Sequence, residues 1–126
     1  MVHGLVGMPE GSAHIMNSSF HPMTSVSQDP SRGVRVDFIN LETLLGSDAV
    51  IHLLKCDIEG SEGAFIENYP HLLRRTRLAI FEFHHDKCDR ARCSEQLQRC
   101  GFVDKRVLAD GSQTSLEFYS QGSPPI

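Results

Sequence analysis

Two short apolar runs in the middle of the chain, residues 50–56 and 78–81, constrain the fold more than any other feature of the sequence. Both are rich in β-forming residues, which is typical of strands that are covered on both faces in a parallel sheet. Apolar residues recur at helical spacing between the two runs, and Pro70 predicts a break in that helix near Asn68. This part of the chain therefore predicts a strand, two short helical pieces and a second strand.

The segment after the second run continues the alternation of strands and helices. Asp89 is placed to cap a helix that Gly101 ends, and two strand-like segments follow at 102–108 and 115–119. The Asp-Gly pair at Asp110 joins them, which indicates an antiparallel hairpin. The resulting order of elements predicts an α/β fold with a mostly parallel sheet and an antiparallel hairpin at its C-terminal end.

The first part of the chain has a different pattern. Residues 5–6 and 13–16 surround a Pro/Gly turn and predict a hairpin, whereas residues 17–33 have no sustained period and predict a long surface loop. Alternating residues at 34–38 predict a half-exposed strand, and Asn40 is placed to cap a short helix after it.

The 126 residues have the composition of one globular domain, with 40% hydrophobic and 22% charged residues. We expect an N-terminal hairpin and loop at 1–33, an α/β core at 34–120 and a frayed tail at 121–126. A net charge of −4 without basic clusters argues against nucleic acid and anionic membranes as partners. No apolar stretch reaches the length of a membrane span and no signal sequence is recognisable, so we expect a cytoplasmic protein with free thiols.

Polar residues follow both apolar runs. Because the carboxyl ends of adjacent parallel strands lie at one edge of a sheet, the two groups are expected to meet there. The first group is Asp57, Glu59 and Glu62, and the second is Glu82, His84, His85 and Asp86.

Three kinds of chemistry remain open for these residues: general acid or base catalysis by His84 or a carboxylate, hydrogen bonding to a ligand, or binding of a divalent ion. Glu62 is interpreted as an acidic residue in the first turn of a helix, where the helix dipole favours it. Asp57, Glu82 and His84 end strands that look buried, and buried polar groups need partners.

A zinc site is a weaker interpretation of the four residues His84, His85, Cys88 and Cys93, because the spacing of the cysteines is loose and no second ligand pair follows. The alternative is that Cys93 and Cys100, together with Leu97, form one buried face of a helix.

Residues 53–62 resemble the signature block of FkbM-type methyltransferases, with the D-x-E-G-x-E core that begins at Asp57. Residues 38–45 resemble the strand and helix that lead into this block, and residues 80–84 resemble the E-x-H strand of the family. The opening residues 6–13 also resemble the hairpin that precedes them in the family.

The resemblance implies a class I, Rossmann-like methyltransferase fold and methyl transfer from S-adenosylmethionine to a small molecule, typically to a hydroxyl oxygen. It implies that Asp57 faces the site of methyl transfer and that Glu59 supports the turn or the cofactor. Glu82 and His84 would line the acceptor side, where His84 could accept the acceptor's proton. A divalent metal on Asp57, Glu82 and His84 is a further implication.

The glycine-rich turn and the ribose-binding acid of such folds have no counterpart in this sequence. We therefore expect a partial domain, the C-terminal half, which depends on a missing N-terminal half or forms a homo-oligomer through the exposed edge of the strand near Val50. Two other hypotheses stay open: a non-enzymatic binding or interaction domain derived from the same fold, and a metal-dependent hydrolase that uses Asp57, Glu82 and His84.

Overall fold

The structure is a computed structural model that describes residues 4–16, 25–27 and 34–122. Within these ranges it contains seven strands and four short helices. In chain order they are β1 (Ser12–Met16), β2 (Ser25–Ser27), β3 (Val34–Asp37), α1 (Leu41–Leu45), β4 (Ile51–Cys56), α2 (Glu62–Asn68), α3 (Pro70–Arg74), β5 (Thr76–His84), α4 (Arg90–Arg99), β6 (Phe102–Asp110) and β7 (Thr114–Gln121).

The central sheet has four strands in the order β4-β5-β7-β6. Strands β4 and β5 are parallel, whereas β7 is antiparallel to both of its neighbours. The predicted C-terminal hairpin of β6 and β7 is confirmed. Its second strand, β7, pairs with β5, so that β6 lies at the edge of the sheet. Strands β4, β5 and β6 run in the same direction, as the expectation of a mostly parallel sheet requires. Only one of the three strand pairings, that of β4 with β5, is parallel.

Helices α2, α3 and α4 pack on one face of this sheet. Strand β5 turns Ala79, Phe81 and Phe83 toward them, and all three side chains are completely buried. The aromatic rings of Phe81 and Phe83 stack with their centroids 5.3 Å apart. Phe65, Ile66, Leu72, Leu73 and Leu97 from the helices complete this core.

Strand β4 is less covered than its sequence predicts. It lies at the edge of the sheet, and 58% of Leu53 is exposed. The interpretation of residues 50–56 and 78–81 as strands covered on both faces is wrong for both, because Leu53 in β4 and Leu78 in β5 are exposed. Pairing of this edge with another chain stays a prediction.

The N-terminal segment forms a separate antiparallel sheet in the order β2-β1-β3. The predicted hairpin between residues 5–6 and 13–16 is wrong, because β1 pairs with β2 and β3, while Leu5 makes an isolated parallel bridge to Phe38. The predicted loop at 17–33 contains strand β2, and its remaining residues lie outside the described part of the chain, as do residues 123–126 of the predicted tail.

Local signals place the helix ends correctly. Asn40 accepts a hydrogen bond from the Thr43 amide at 3.2 Å, and Asp89 accepts one from the Arg92 amide at 3.1 Å. Pro70 begins α3 directly after the break that it predicts. In the part of the chain that the structure describes, no helix has the length and apolarity to cross a membrane.

Candidate functional site

The end of β4 and the end of β5 meet at one edge of the central sheet. The two strands are parallel and their last paired residues are Cys56 and Phe81, so the turn after Cys56 lies beside the final residues of β5. The structure thus brings together the two polar groups that the sequence predicts to be neighbours. Strand β5 ends at His84, within the polar stretch 82–86 where the sequence predicts its end.

His84 lies at the centre of this edge and is only 5% exposed. Its Nδ1 atom is 2.9 Å from Oε1 of Glu62, a carboxylate that is completely buried. Glu62 also accepts hydrogen bonds from the Ile58 amide at 3.3 Å and from the Cys88 thiol at 3.2 Å. Because the buried Glu62 carboxylate accepts a hydrogen bond, it holds the imidazole with Nδ1 as donor and leaves the lone pair on Nε2.

Nε2 of His84 faces a second carboxylate, with Oε2 of Glu59 at 3.2 Å. This approach lacks hydrogen-bond geometry, and Oε2 is buried with no hydrogen-bond partner among the described residues. Glu59 has a positive φ of 55° and Gly60 a φ of 100°, so the turn is tightly wound. A basic nitrogen and a carboxylate oxygen at this distance can both bind one cation that lies beside them.

Asp57 and Glu82 form a second acidic pair at the same edge. A hydrogen bond between the two carboxyl groups raises the pKa of Glu82, and burial and the charge of Asp57 raise it further. Lys55 is 3.9 Å from Asp57 and offsets part of the negative charge. The pair therefore disfavours the charged form of Glu82 relative to an isolated carboxyl group.

Asp57, Glu59 and His84 each offer one ligand atom, and these atoms lie within 4.8 Å of one another. Two carboxylates and an imidazole are suitable ligands for a divalent cation. The metal set expected from the resemblance, Asp57, Glu82 and His84, differs by one residue: Glu82 reaches the cluster through its contact with Asp57.

The cysteines of the alternative zinc interpretation do not join this cluster within the described residues. Burial raises the pKa of the Cys93 thiol to about 12. Cys93, Leu97 and Cys100 are buried together, so the interpretation of these residues as a packed helix face is confirmed.

A cavity of about 390 Å³ has His84 among its lining residues. Its walls are the turn that follows β5 and the turn between β6 and β7, including His85, Asp86, Lys87, Gln113 and Thr114. His85 and Asp86 thus line this cavity and do not lie with the carboxylates at the end of β4.

Glu62 is the residue at this edge whose position the sequence interpretation missed. The residue does begin a helix, but its side chain points into the protein and contacts His84. The signal was present in the sequence, since Glu62 lies three and four residues before Phe65 and Ile66, on the same helix face as these buried residues.

No curated protein and no solved structure matches the chain significantly. The sequence model for the methyltransferase FkbM domain matches residues 3–108, which include the D-x-E-G-x-E turn, the His84 strand and most of β6. Because the match covers most of the chain, this protein belongs to the FkbM methyltransferase domain family.

Proposed function

We propose that the chain takes part in methyl transfer from S-adenosylmethionine to a hydroxyl oxygen of a small molecule, with His84 as the general base. The observation that carries the proposal is the position of His84 between two carboxylates at the carboxyl edge of β4 and β5. Membership of a methyltransferase family supports the reaction type.

The proton chemistry follows from the contacts of His84. The buried Glu62 carboxylate accepts a hydrogen bond from Nδ1–H, so that Nε2 can take the proton of an acceptor hydroxyl and increase its nucleophilicity. The positive charge that develops on the imidazole is stabilised by Glu62 on one side and Glu59 on the other. Glu62 therefore acts through His84 as a positioning residue.

The carboxylates of Asp57 and Glu59 suit the positively charged sulfur of the cofactor. S-adenosylmethionine, when bound, supplies a methyl group on a positively charged sulfur. Asp57 and Glu59, at the carboxyl end of β4, provide negative charge that suits this cation, and Glu59 has a buried oxygen without a hydrogen-bond partner in the described part of the chain. The sequence has no glycine-rich turn, and we assign none of its residues to the adenosine group.

A divalent cation at this edge is the alternative to the base role of His84, because Nδ1 contacts Glu62 and Nε2 cannot bind an ion and accept a proton at the same time. The three ligand atoms of Asp57, Glu59 and His84 form a compact set, and a cation among them would relieve the unfavourable approach of Nε2 and Oε2. Such an ion would lower the pKa of a bound hydroxyl and orient it. Glu82, hydrogen-bonded to Asp57, would then be an outer contact that orients this ligand.

Methyl transfer from radiolabelled S-adenosylmethionine to a panel of small hydroxyl compounds tests the proposal, with and without Mg²⁺ or Mn²⁺. His84→Gln should lower kcat by roughly 100-fold or more, since general base catalysis contributes about 10²–10⁴. His71→Gln is the matched control, because His71 is exposed and lies outside the site. Equal rates for the two variants would contradict the role of His84.

Mn²⁺ binding, measured by calorimetry, separates the metal proposal from the base proposal. Asp57→Asn and Glu59→Gln should each weaken binding, whereas Glu67→Gln on the exposed side of α2 should not. An unchanged rate of methyl transfer in the presence of a metal chelator would overturn the metal proposal and leave the role of His84 intact.

A further inference from the structure

Strand β4 forms an open edge of the central sheet. The Ile51 amide donates a hydrogen bond to the Arg75 carbonyl at 2.9 Å, so the backbone groups of Ile51 face β5. Because backbone groups alternate in direction along a strand, those of His52 and Leu54 point away from β5. On that side, neither residue has a hydrogen-bond partner among the described residues. A row of unused donors and acceptors at a sheet edge is a template for pairing with another strand.

The two edges of the sheet differ in their protection against such pairing. Strand β6, at the opposite edge, has two register shifts against β7 and carries the consecutive charged residues Asp104, Lys105 and Arg106. Strand β4 keeps a constant register against β5, contains no proline and has Lys55 as its only lysine, arginine or acidic residue. Since bulges and charges protect a sheet edge from pairing, β6 is protected and β4 is not.

The side chains along β4 make this edge apolar. Leu53 is 58% exposed, and its partner in the β4–β5 ladder, Leu78, is 38% exposed. The ammonium group of Lys55 lies 3.9 Å from the carboxylate of Asp57 in the same chain, which offsets its charge. A partner strand for this edge should therefore itself be apolar and carry little charge, and β4 has both properties.

We infer that β4 pairs with β4 of a second copy of this chain, antiparallel and around a two-fold axis. A two-fold contact requires a surface that is complementary to itself. Strand β4 meets this condition, because His52 of one copy and Leu54 of the other can exchange both of their outward backbone hydrogen bonds. The same exchange occurs a second time on the other side of the axis.

The charge of Lys55 selects the register of this pairing. With Leu53 on the axis, the Leu53 residues of the two copies lie opposite each other, with Cα atoms about 4.5 Å apart. Leu53 and Leu78 of both copies then form one apolar row across the contact. With Leu54 on the axis, the Lys55 side chains of the two copies would be diagonal neighbours, which repulsion between like charges disfavours.

The pairing leaves the His84 edge of both copies accessible. Antiparallel strands have their carboxyl ends at opposite ends of the contact. The turn that carries Asp57 and Glu59 follows the carboxyl end of β4, so the two sites lie apart from the axis. The inference therefore does not depend on the proposed function.

Sedimentation velocity of the full chain over a range of concentrations tests the inference. A contact between two short strands is small, so the dimer should dissociate between roughly 1 μM and 1 mM. His52→Pro removes an outward backbone donor and leaves the hydrogen bonds to β5 in place. Since the dimer loses this donor twice, its dissociation constant should rise by at least about 10-fold. His52→Thr is the matched control, because it changes the same side chain and keeps the donor.

Two charge variants test the register. Leu53→Lys and Leu53→Glu each place like charges opposite each other across the axis, so each variant alone should be monomeric over the same concentrations. An equimolar mixture should restore a dimer with one chain of each kind, because opposite charges then face each other. Circular dichroism checks that every variant is folded.

Three results would contradict the pairing. The mass of a single chain for the parent protein at about 1 mM would overturn the inference. Equal dissociation constants for His52→Pro and His52→Thr would also overturn it, because the contact would then lie away from β4. A mixture of Leu53→Lys and Leu53→Glu that stays monomeric would overturn the two-fold register around Leu53.

Discussion

Nδ1 of His84 lies 2.9 Å from Oε1 of Glu62, and neither side chain is exposed to a significant extent. This pair connects the first turn of α2 to the end of β5. Since a buried carboxylate without a partner is costly, the pair is expected to be formed in most molecules. It fixes the imidazole orientation that the proposed base chemistry requires.

Replacement of Glu62 should affect the reaction more than the binding of the acceptor. Glu62→Gln removes the charge that stabilises the imidazolium, so kcat should fall by roughly 10- to 100-fold with little change in KM. Glu67→Gln, in the same helix but exposed, is the matched control. A kcat of Glu62→Gln equal to that of Glu67→Gln would show that Glu62 does not position His84.

Glu62 also illustrates what the sequence could predict. The helix that it begins, the break at Pro70 and the cap at Asp89 were predicted correctly, because each depends on residues within a few positions. The contact with His84 joins residues that are 22 positions apart and depends on the parallel pairing of β4 and β5. The sequence predicts that β4 and β5 end at the same edge of the sheet. It does not predict which side chain of the turn after β4 faces His84.

The errors in the fold have the same origin. The pairing of β1 with β2 and β3 bridges distant segments, and no local turn signal specifies it. The exposure of Leu53 depends on which elements cover β4, and a continuous apolar run does not contain that information. Local chemistry therefore predicted the elements, whereas coverage and long-range pairing required the structure.

The two faces of the central sheet should differ in their sensitivity to substitution. Phe81→Ala removes a completely buried ring that packs against Phe83 and Tyr119, and it should lower the free energy of unfolding by about 3–5 kcal/mol. Leu53→Ala, on the exposed side of β4, should cost less than about 1 kcal/mol. Urea denaturation measures both values, and similar losses would mean that the open face is covered in solution.

Acidification should weaken a buried ion cluster that lies away from the site. Glu117 is completely buried, and Lys105 and Arg90 each approach it to 3.1 Å. Burial alone would raise the pKa of Glu117, but hydrogen bonds from Ser115, Tyr119 and Lys105 outweigh it and lower the pKa. Ionised Glu117 therefore stabilises the folded chain fully above pH 4.5, the ordinary pKa of a glutamate. This stabilisation is lost as the pH falls through the lowered pKa of Glu117.

Comparison of Glu117→Gln with the parent chain across this pH window measures the effect. The variant should be less stable by about 2 kcal/mol at neutral pH, and this difference should shrink as the parent chain protonates Glu117. Glu95→Gln removes an exposed carboxylate paired with Arg99. Its free energy of unfolding should differ little from that of the parent chain, and this difference should change little with pH. A difference for Glu117→Gln that stays constant down to acidic pH would contradict the lowered pKa.

Gly60 is the position in the D-x-E-G-x-E turn where a side chain should be least tolerated. Its φ of 100° is strained for other residues, and a Cβ atom there would collide with the side chain of Lys87. Gly60→Ala should therefore lower the free energy of unfolding by about 1–3 kcal/mol and displace Lys87 together with the Glu59 turn.

Gly63, three residues later, provides the matched control. It lies within α2, and an added Cβ would be 3.7 Å from Sγ of Cys93, an ordinary contact. Gly63→Ala should therefore be neutral or stabilise the chain by up to about 1 kcal/mol, because alanine is the better helix former. Thermal unfolding compares the two variants, and equal effects would show that the turn does not depend on the backbone conformation of Gly60. If Gly60→Ala also weakens Mn²⁺ binding while Gly63→Ala does not, the conformation of this turn holds Glu59 in place to act on His84.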